Sequence, residues 1–186
     1  MSVSTKLVGI AGSLSRPSKT YALVQSIAGL AVQDYDVVSS VYDLRDIGPS
    51  LGSAQSRRDL DAQANQVIDE IVSADVLVVG SPTYKGSYPG LFKHLIDLID
   101  PHELRAKPII ISATGGGDRH ALMVEHQLRP LFGFFMAHTL PTAIYAADRD
   151  FKDYRISSEP LSQRIAWAVG ELATFIPSYP ALEAAE

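Results

Sequence analysis

The chain has 186 residues, 46% hydrophobic and 20% charged, the balance of one ordinary soluble domain. A net charge of −5 without any basic run gives no electrostatic reason to expect a nucleic-acid or anionic-membrane partner. The absence of cysteine excludes disulfides, iron–sulfur ligation, thiol nucleophiles and cysteine-based zinc sites. No run approaches the roughly 20 apolar residues of a membrane span and the first residues are too short in apolar character for a signal sequence, so a cytoplasmic protein is expected.

In chain order, KLVGIAG (6–12) reads as a first strand, followed by residues 18–31 with Tyr21, Leu23, Val24, Ile27, Ala28 and Ala31 at helical spacing. DVVSSVYDL (36–44) reads as a second strand, and residues 57–73 carry Leu60, Ala64, Val67, Ile68 and Ile71 on one helical face. ADVLVVGS (74–81) is a third strand, and residues 89–99 form a helix that Pro89 opens. KPIIISATG (107–115) is a fourth strand, with a helix over 119–135; HTLPTAIYA (138–146) is a fifth, with a last helix over 160–176.

Strict alternation of continuous apolar strands with amphipathic helices predicts an α/β protein, a parallel sheet covered on both faces. Right-handed crossovers and five strands favour the flavodoxin-like order 2-1-3-4-5 in a three-layer sandwich. A single domain over 1–186 is expected, with an ordered core of about 5–176 and a frayed tail after Pro177. Ligands of such sheets bind beyond the carboxyl ends of the strands at the switch point between strands one and three. That names three loops in advance.

The first is GSLSRPSKT (12–20). It is not a Walker loop, because the Lys-Thr pair stands one position late and Ser18, not glycine, precedes the lysine. It lacks the second and third glycines of a dinucleotide turn. What remains is a hydroxyl-rich loop on a helix N-terminus, which favours a terminal phosphate monoester with Arg16 as a charged clamp. Turn and capping roles for the serines are the competing reading.

The second loop, SPTYKGSYPG (81–90), is stiffened by Pro82 and Pro89 and offers Tyr84, Tyr88 and the flexible Gly86 and Gly90. It suits a wall for a planar heteroaromatic ring, or else an ordinary connection whose tyrosines cover the core. The third, ATGGGDRH (113–120), carries three glycines that mark a tight turn or close approach to a ligand, with Asp118 a candidate helix N-cap.

Together these three stretches resemble the NAD(P)H-dependent FMN reductases, over roughly residues 5–176. The resemblance is nearest to the small flavin reductases of two-component alkanesulfonate and methanesulfonate monooxygenases, with the Ser-Pro-x-Tyr core of the second loop its most specific part. It implies that Ser13, Ser15, Arg16, Ser18 and Thr20 hold the FMN phosphate. It further implies that Pro82, Thr83, Tyr84 and Lys85 wall the isoalloxazine and that Gly115, Gly116 and Gly117 line its pyrimidine edge. The implied activity is hydride transfer from NADH or NADPH to FMN, with reduced FMN passing to a flavin-dependent sulfonate monooxygenase and no catalytic acid–base residue. An FMN-retaining quinone, azo or metal-ion reductase and a flavodoxin-type electron carrier are the alternatives.

The family's helix at MVEHQLRPLF (123–132) carries a π-bulge at a subunit interface in some relatives, which implies a homodimer or homotetramer and an interface or flavin-gating role for His126, with a histidine on an ordinary helix face as the competing reading. Pro130, unable to donate a ladder hydrogen bond, distorts that helix in any case. GPSLG (48–52) spells a nucleophile-elbow pattern but lacks a strand immediately before it. His120 and His126, six apart, do not share a helical face as a metal pair would. His94, His102 and His138 show no constellation. Arg57 and Arg58 lie in a long loop that can cover the site, bind a 2′-phosphate or simply face solvent.

Overall fold

The structure, a computed structural model, describes residues 4–176; the tail after Pro177 lies outside them. The main sheet is parallel in the order β2-β1-β3-β4-β5, with β6 also paired to β4. Its strands are β1 (Thr5–Ala11), β2 (Val37–Asp43), β3 (Val76–Pro82), β4 (Pro108–Gly115), β5 (His138–Thr139) and β6 (Ile144–Ala147). The expected flavodoxin-like order is therefore present. The helices are α1 (Lys19–Asp34), α2 (Leu44–Ile47), α3 (Ala62–Ser73), α4 (Gly90–Asp97), α5 (Arg129–Phe134) and α6 (Glu159–Gly170).

Side chains alternate across each strand and feed two cores. Leu7, Val76, Val78 and Ile110 pack under α1 and α6, and Val8, Ile10, Val79 and Ile111 under α3, α4 and α5. The central strands β3 and β4 are buried almost throughout, whereas edge strand β2 exposes Val38 and Ser39. This is why the first, third and fourth strands read as continuous apolar runs.

Three features depart from the sequence expectation. The fifth strand is broken: His138–Thr139 and Ile144–Ala147 both pair with β4, and the chain between them leaves the ladder. Pro141 cannot donate to that ladder, and the next N–H, that of Thr142, bonds instead to Glu171 Oε2 at 3.0 Å. Arg129 pins the break by donating to the carbonyls of Thr139, Leu140 and Pro141. The second departure is a small hairpin, β7 (Phe151–Lys152) and β8 (Arg155–Ile156), too short to leave a periodic signal.

The helix expected over 119–135 is three segments. A 3₁₀ turn (Asp118–His120) leads to a π-helix (Val124–Leu128) and then α5. The Arg129 N–H reaches back five residues to the carbonyl of Val124, and Pro130 follows without an N–H. The expected bulge is thus present, and it begins one turn before the proline.

Candidate functional site

The three loops meet because glycines let their strands close up. The Gly12 N–H donates to the Gly80 carbonyl at 2.7 Å, and the Thr83 N–H to the Thr114 carbonyl at 2.8 Å. Thr20 and Thr114 share a buried hydroxyl hydrogen bond of 2.7 Å, tying the start of α1 to β4. A Cβ on Gly12 would stand 2.8 Å from Cγ of Phe92, a fully buried ring that Tyr88 meets edge-on at 6.0 Å.

Loop 12–20 organises itself around backbone donors. Ser13 Oγ accepts from the Ser15 N–H at 3.1 Å, and Ser18, the α1 N-cap, accepts from the Tyr21 N–H at 3.2 Å. Among the described residues, the N–H groups of Leu14, Arg16, Ser18, Lys19 and Thr20 have no protein acceptor. The Ser15 and Ser18 side chains are at least partly exposed beside them. Thr20 differs: its hydroxyl is engaged with Thr114, so only its N–H is free for a ligand.

Arg16 does not stand free as the sequence reading expects. Its Nε and Nη2 form a fork with Asp43 (2.6 and 2.8 Å), and Nη2 also reaches Asp46 at 2.5 Å. Asp43 is fully buried, accepts the Arg45 and Asp46 N–H groups as cap of α2, and so ties loop 12–20 to the end of β2. The bond to Asp43, then that to Asp46, holds the Arg16 guanidinium charged more firmly than usual. With two carboxylates on one guanidinium, little cationic charge is left for an anion, and the donors that remain to attract one are backbone N–H groups.

Burial pushes the Asp46 carboxyl up, but the Asp43 N–H and Arg16 outweigh it and hold it below its ordinary 3.8. A depressed folded value means that the stabilisation is present above the unfolded value and lost as pH falls through the folded one. The urea midpoint is therefore expected to hold down to about pH 4 and fall below it. Asp46→Asn should flatten that fall, as measured by denaturation across pH 2–6.

In loop 81–90 the residues Tyr84–Ser87 close a tight turn by paired backbone hydrogen bonds of 2.8 and 3.2 Å, with Lys85 and Gly86 at φ 54° and 88°. Tyr84 is 54% exposed at the rim, and Lys85 is exposed beside it. Tyr88 instead covers the core, and Pro82 is buried at the end of β3. Ser87 donates to Gln127 Oε1 at 3.0 Å, which joins this loop to the π-helix; Gly86, His120 and His126 border one small hollow there.

Loop 113–120 is buttressed by a residue that sequence reasoning missed. Tyr145 on β6 donates to the Gly117 carbonyl at 2.6 Å, and a Cβ on Gly115 would stand 2.2 Å from its hydroxyl. Burial, then Asp118 and Asp148, push the Tyr145 phenol up, so it stays a donor. Asp118 is not a side-chain N-cap: it pairs with Arg149 at 2.7 Å, as Lys19 does with Asp148 at 2.7 Å. Asp43 and Tyr145 were hidden from sequence reasoning because their partners lie 27 and 28 residues away.

Two further candidates serve structure. GPSLG follows α2 as Gly48 and a 3₁₀ turn, so Ser50 sits on no elbow. Arg57 pairs with Asp69 and Glu103. Among the described residues no three His, Asp or Glu side chains are grouped to hold a metal, and no helix is long and apolar enough to cross a membrane.

FMN fits this site. The free N–H row of loop 12–20 suits its phosphate, and Thr83 Oγ1, buried without a partner among the described residues, supplies a polar atom beside Gly115 that awaits one. A flavodoxin-like sheet with these three loops gathered at its β1/β3 switch point has the architecture of a flavin-binding protein.

The comparisons narrow the class. Residues 5–152 match the family model for NADPH-dependent FMN reductases, and the chain belongs to that family. It is 49% identical over 168 residues to the FMN reductase (NADPH) of Pseudomonas aeruginosa, covering 90% of each chain. It is 46% identical over 173 residues to the NADH-dependent FMN reductase SfnF of Pseudomonas fluorescens, covering 93% of this chain and 92% of that one. Among solved structures, an oxidoreductase from Corynebacterium diphtheriae aligns with a TM-score of 0.82 and 34% identity, over 92% of this chain and 96% of that one.

Proposed function

We propose that the three loops hold FMN for reduction by NADH or NADPH, and that reduced FMN is then released to a flavin-dependent sulfonate monooxygenase. The protein is an FMN reductase by family, and the observation that carries the site assignment is the row of unpaired N–H groups in loop 12–20. Ser13, Ser15 and Ser18 add hydroxyls to the N–H groups around the phosphate, with Thr20 contributing its N–H. Arg16 braces the loop against Asp43.

When bound, FMN supplies the hydride-accepting N5. The chain's part is positional: Pro82, Thr83, Tyr84 and Lys85 wall the ring, and Gly115, Gly116 and Gly117 bring backbone to its polar edge. Holding two rings at contact distance and excluding water converts an encounter into an oriented transfer. That explains a site without an acid–base pair.

Release rather than retention is supported by the open rim, where Leu14 and Tyr84 are 53% and 54% exposed. A homodimer or homotetramer is supported by the apolar groove between α4 and α5, bordered by Ile96, Leu131 and the 69% exposed Phe134. A cytoplasmic location is part of this reading, as a reductase that draws on NADH or NADPH needs a supply of that donor.

The test is NADH and NADPH oxidation against FMN concentration, with and without a sulfonate monooxygenase and its substrate. The expected result is a rate saturating in added FMN and sulfite release that requires the reductase. Flavin that stays bound through gel filtration, with a rate indifferent to added FMN, would instead favour an FMN-retaining reductase.

A further inference from the structure

On the far side of loop 12–20 from the ring wall lies a second cleft, of about 530 Å³, between α1, the end of β2 and the hairpin β7–β8. Arg16, Tyr21, Gln25, Val41, Asp46 and Tyr154 border it. The volume falls within the roughly 300–1,000 Å³ of small-molecule sites. None of the residues given the FMN ring above lies in it, yet Arg16 and Ser18 belong both to its wall and to the phosphate loop.

The hairpin that closes this cleft is unusual at its tip. Asp153 and Tyr154 both have positive φ (49° and 59°), a turn that glycine or asparagine ordinarily fills. Backbone held this way by bulky residues needs support from its surroundings and often marks a binding element. The support is visible: Phe151 and Ile156 pack on the α1 side core, and Lys19 Nζ lies 5.9 Å from the Phe151 ring centre while pairing with Asp148. The anchored hairpin presents Tyr154, 46% exposed, at the cleft.

We propose that this cleft receives the adenosine end of the nicotinamide dinucleotide, an inference that rests on the reductase reading above. The phenol rings of Tyr21 and Tyr154 are faces for a flat base. The exposed Gln25 has no hydrogen-bond partner among the described residues, and its amide offers the donor–acceptor pair that matches the N6/N7 edge of adenine. The Asp46 carboxylate can accept from a ribose hydroxyl. Arg16 Nη1, the guanidinium nitrogen without a partner among the described residues, keeps a hydrogen-bond donor for a ribose or linker oxygen, while Asp43 and Asp46 take up its charge.

Continuity selects the occupant. A ligand with one flat ring at the flavin wall and another in this cleft must pass beside loop 12–20, whose N–H groups are given to the FMN phosphate, on a long flexible linker. A dinucleotide has that form. The adenosine of NADH and that of NADPH share this chemistry.

The test compares NADH with reduced nicotinamide mononucleotide, which carries the same hydride donor but no adenosine. In the wild-type protein with FMN, kcat/KM for NADH should exceed that for the mononucleotide. Tyr154→Ala and Gln25→Ala should each cut that ratio about tenfold, the scale of one base stacked on an aromatic ring or one amide–base pair. KM for FMN should stay within twofold, and circular dichroism reports whether each variant folds. An unchanged ratio in both folded variants overturns the proposal. ADP-ribose binding to the wild-type protein, followed by calorimetry, is expected to weaken in the same two variants. That arm needs no turnover, so its failure is distinguishable from failure of the reductase reading.

Discussion

Gly80→Ala is expected to destabilise the protein by about 1–3 kcal/mol and to raise KM for FMN at least tenfold. Its Cβ would stand 2.4 Å from Val24 Cγ2, 3.1 Å from Ser112 Oγ and 3.3 Å from Thr20 Cγ2. Val24 and Thr20 are buried on α1, and Ser112 Oγ is committed to the Val79 carbonyl at 2.9 Å, so no neighbour has free space. The expected relief is a shift of Val24 and Thr20, and with them of α1, away from the sheet, which would carry the Lys19 and Thr20 N–H groups from the proposed phosphate position. Gly29→Ala on the same helix meets nothing within 4 Å and should be neutral or stabilising by about 0.5–1 kcal/mol. Urea denaturation and FMN titration of the two variants separate a packing effect at one point from a general effect on α1.

Asp43→Ala should cost about 2–4 kcal/mol, combining a lost N-cap with lost charge-assisted hydrogen bonds. Asp43 is fully buried, caps α2 through the Arg45 and Asp46 N–H groups, and accepts both arms of Arg16. Its removal frees loop 12–20 from β2, so a rise in KM for FMN should accompany the lower urea midpoint, with kcat at saturating FMN changed least. A variant that lost stability but kept its KM would show that the Arg16 fork braces the fold and not the loop.

The main sheet was legible because β1, β3 and β4 are covered on both faces and so write uninterrupted apolar runs. The three loops were legible for the same reason, since they follow those strands directly. Side-chain pairing was not. Arg16 reads as a phosphate clamp when only its own loop is in view, and the acid that claims it sits on another strand. Asp118 reads as a cap from its own segment, and the Arg149 that claims it lies 31 residues on. The hairpin at 151–156 and the break at Pro141 involve two-residue strands, below the length at which period-two alternation can be read. The π-helix was anticipated through a family resemblance and the position of Pro130. Periodicity alone would have given one continuous helix.

The central claim is that loop 12–20 recognises a terminal phosphate and so selects FMN. It is tested most directly by the rates of NADH and NADPH oxidation with FMN and with riboflavin, which carries the same ring but no phosphate. Two charge-assisted hydrogen bonds from the loop predict a kcat/KM at least about a hundredfold higher for FMN. Equal efficiency with riboflavin would contradict the assignment of the loop.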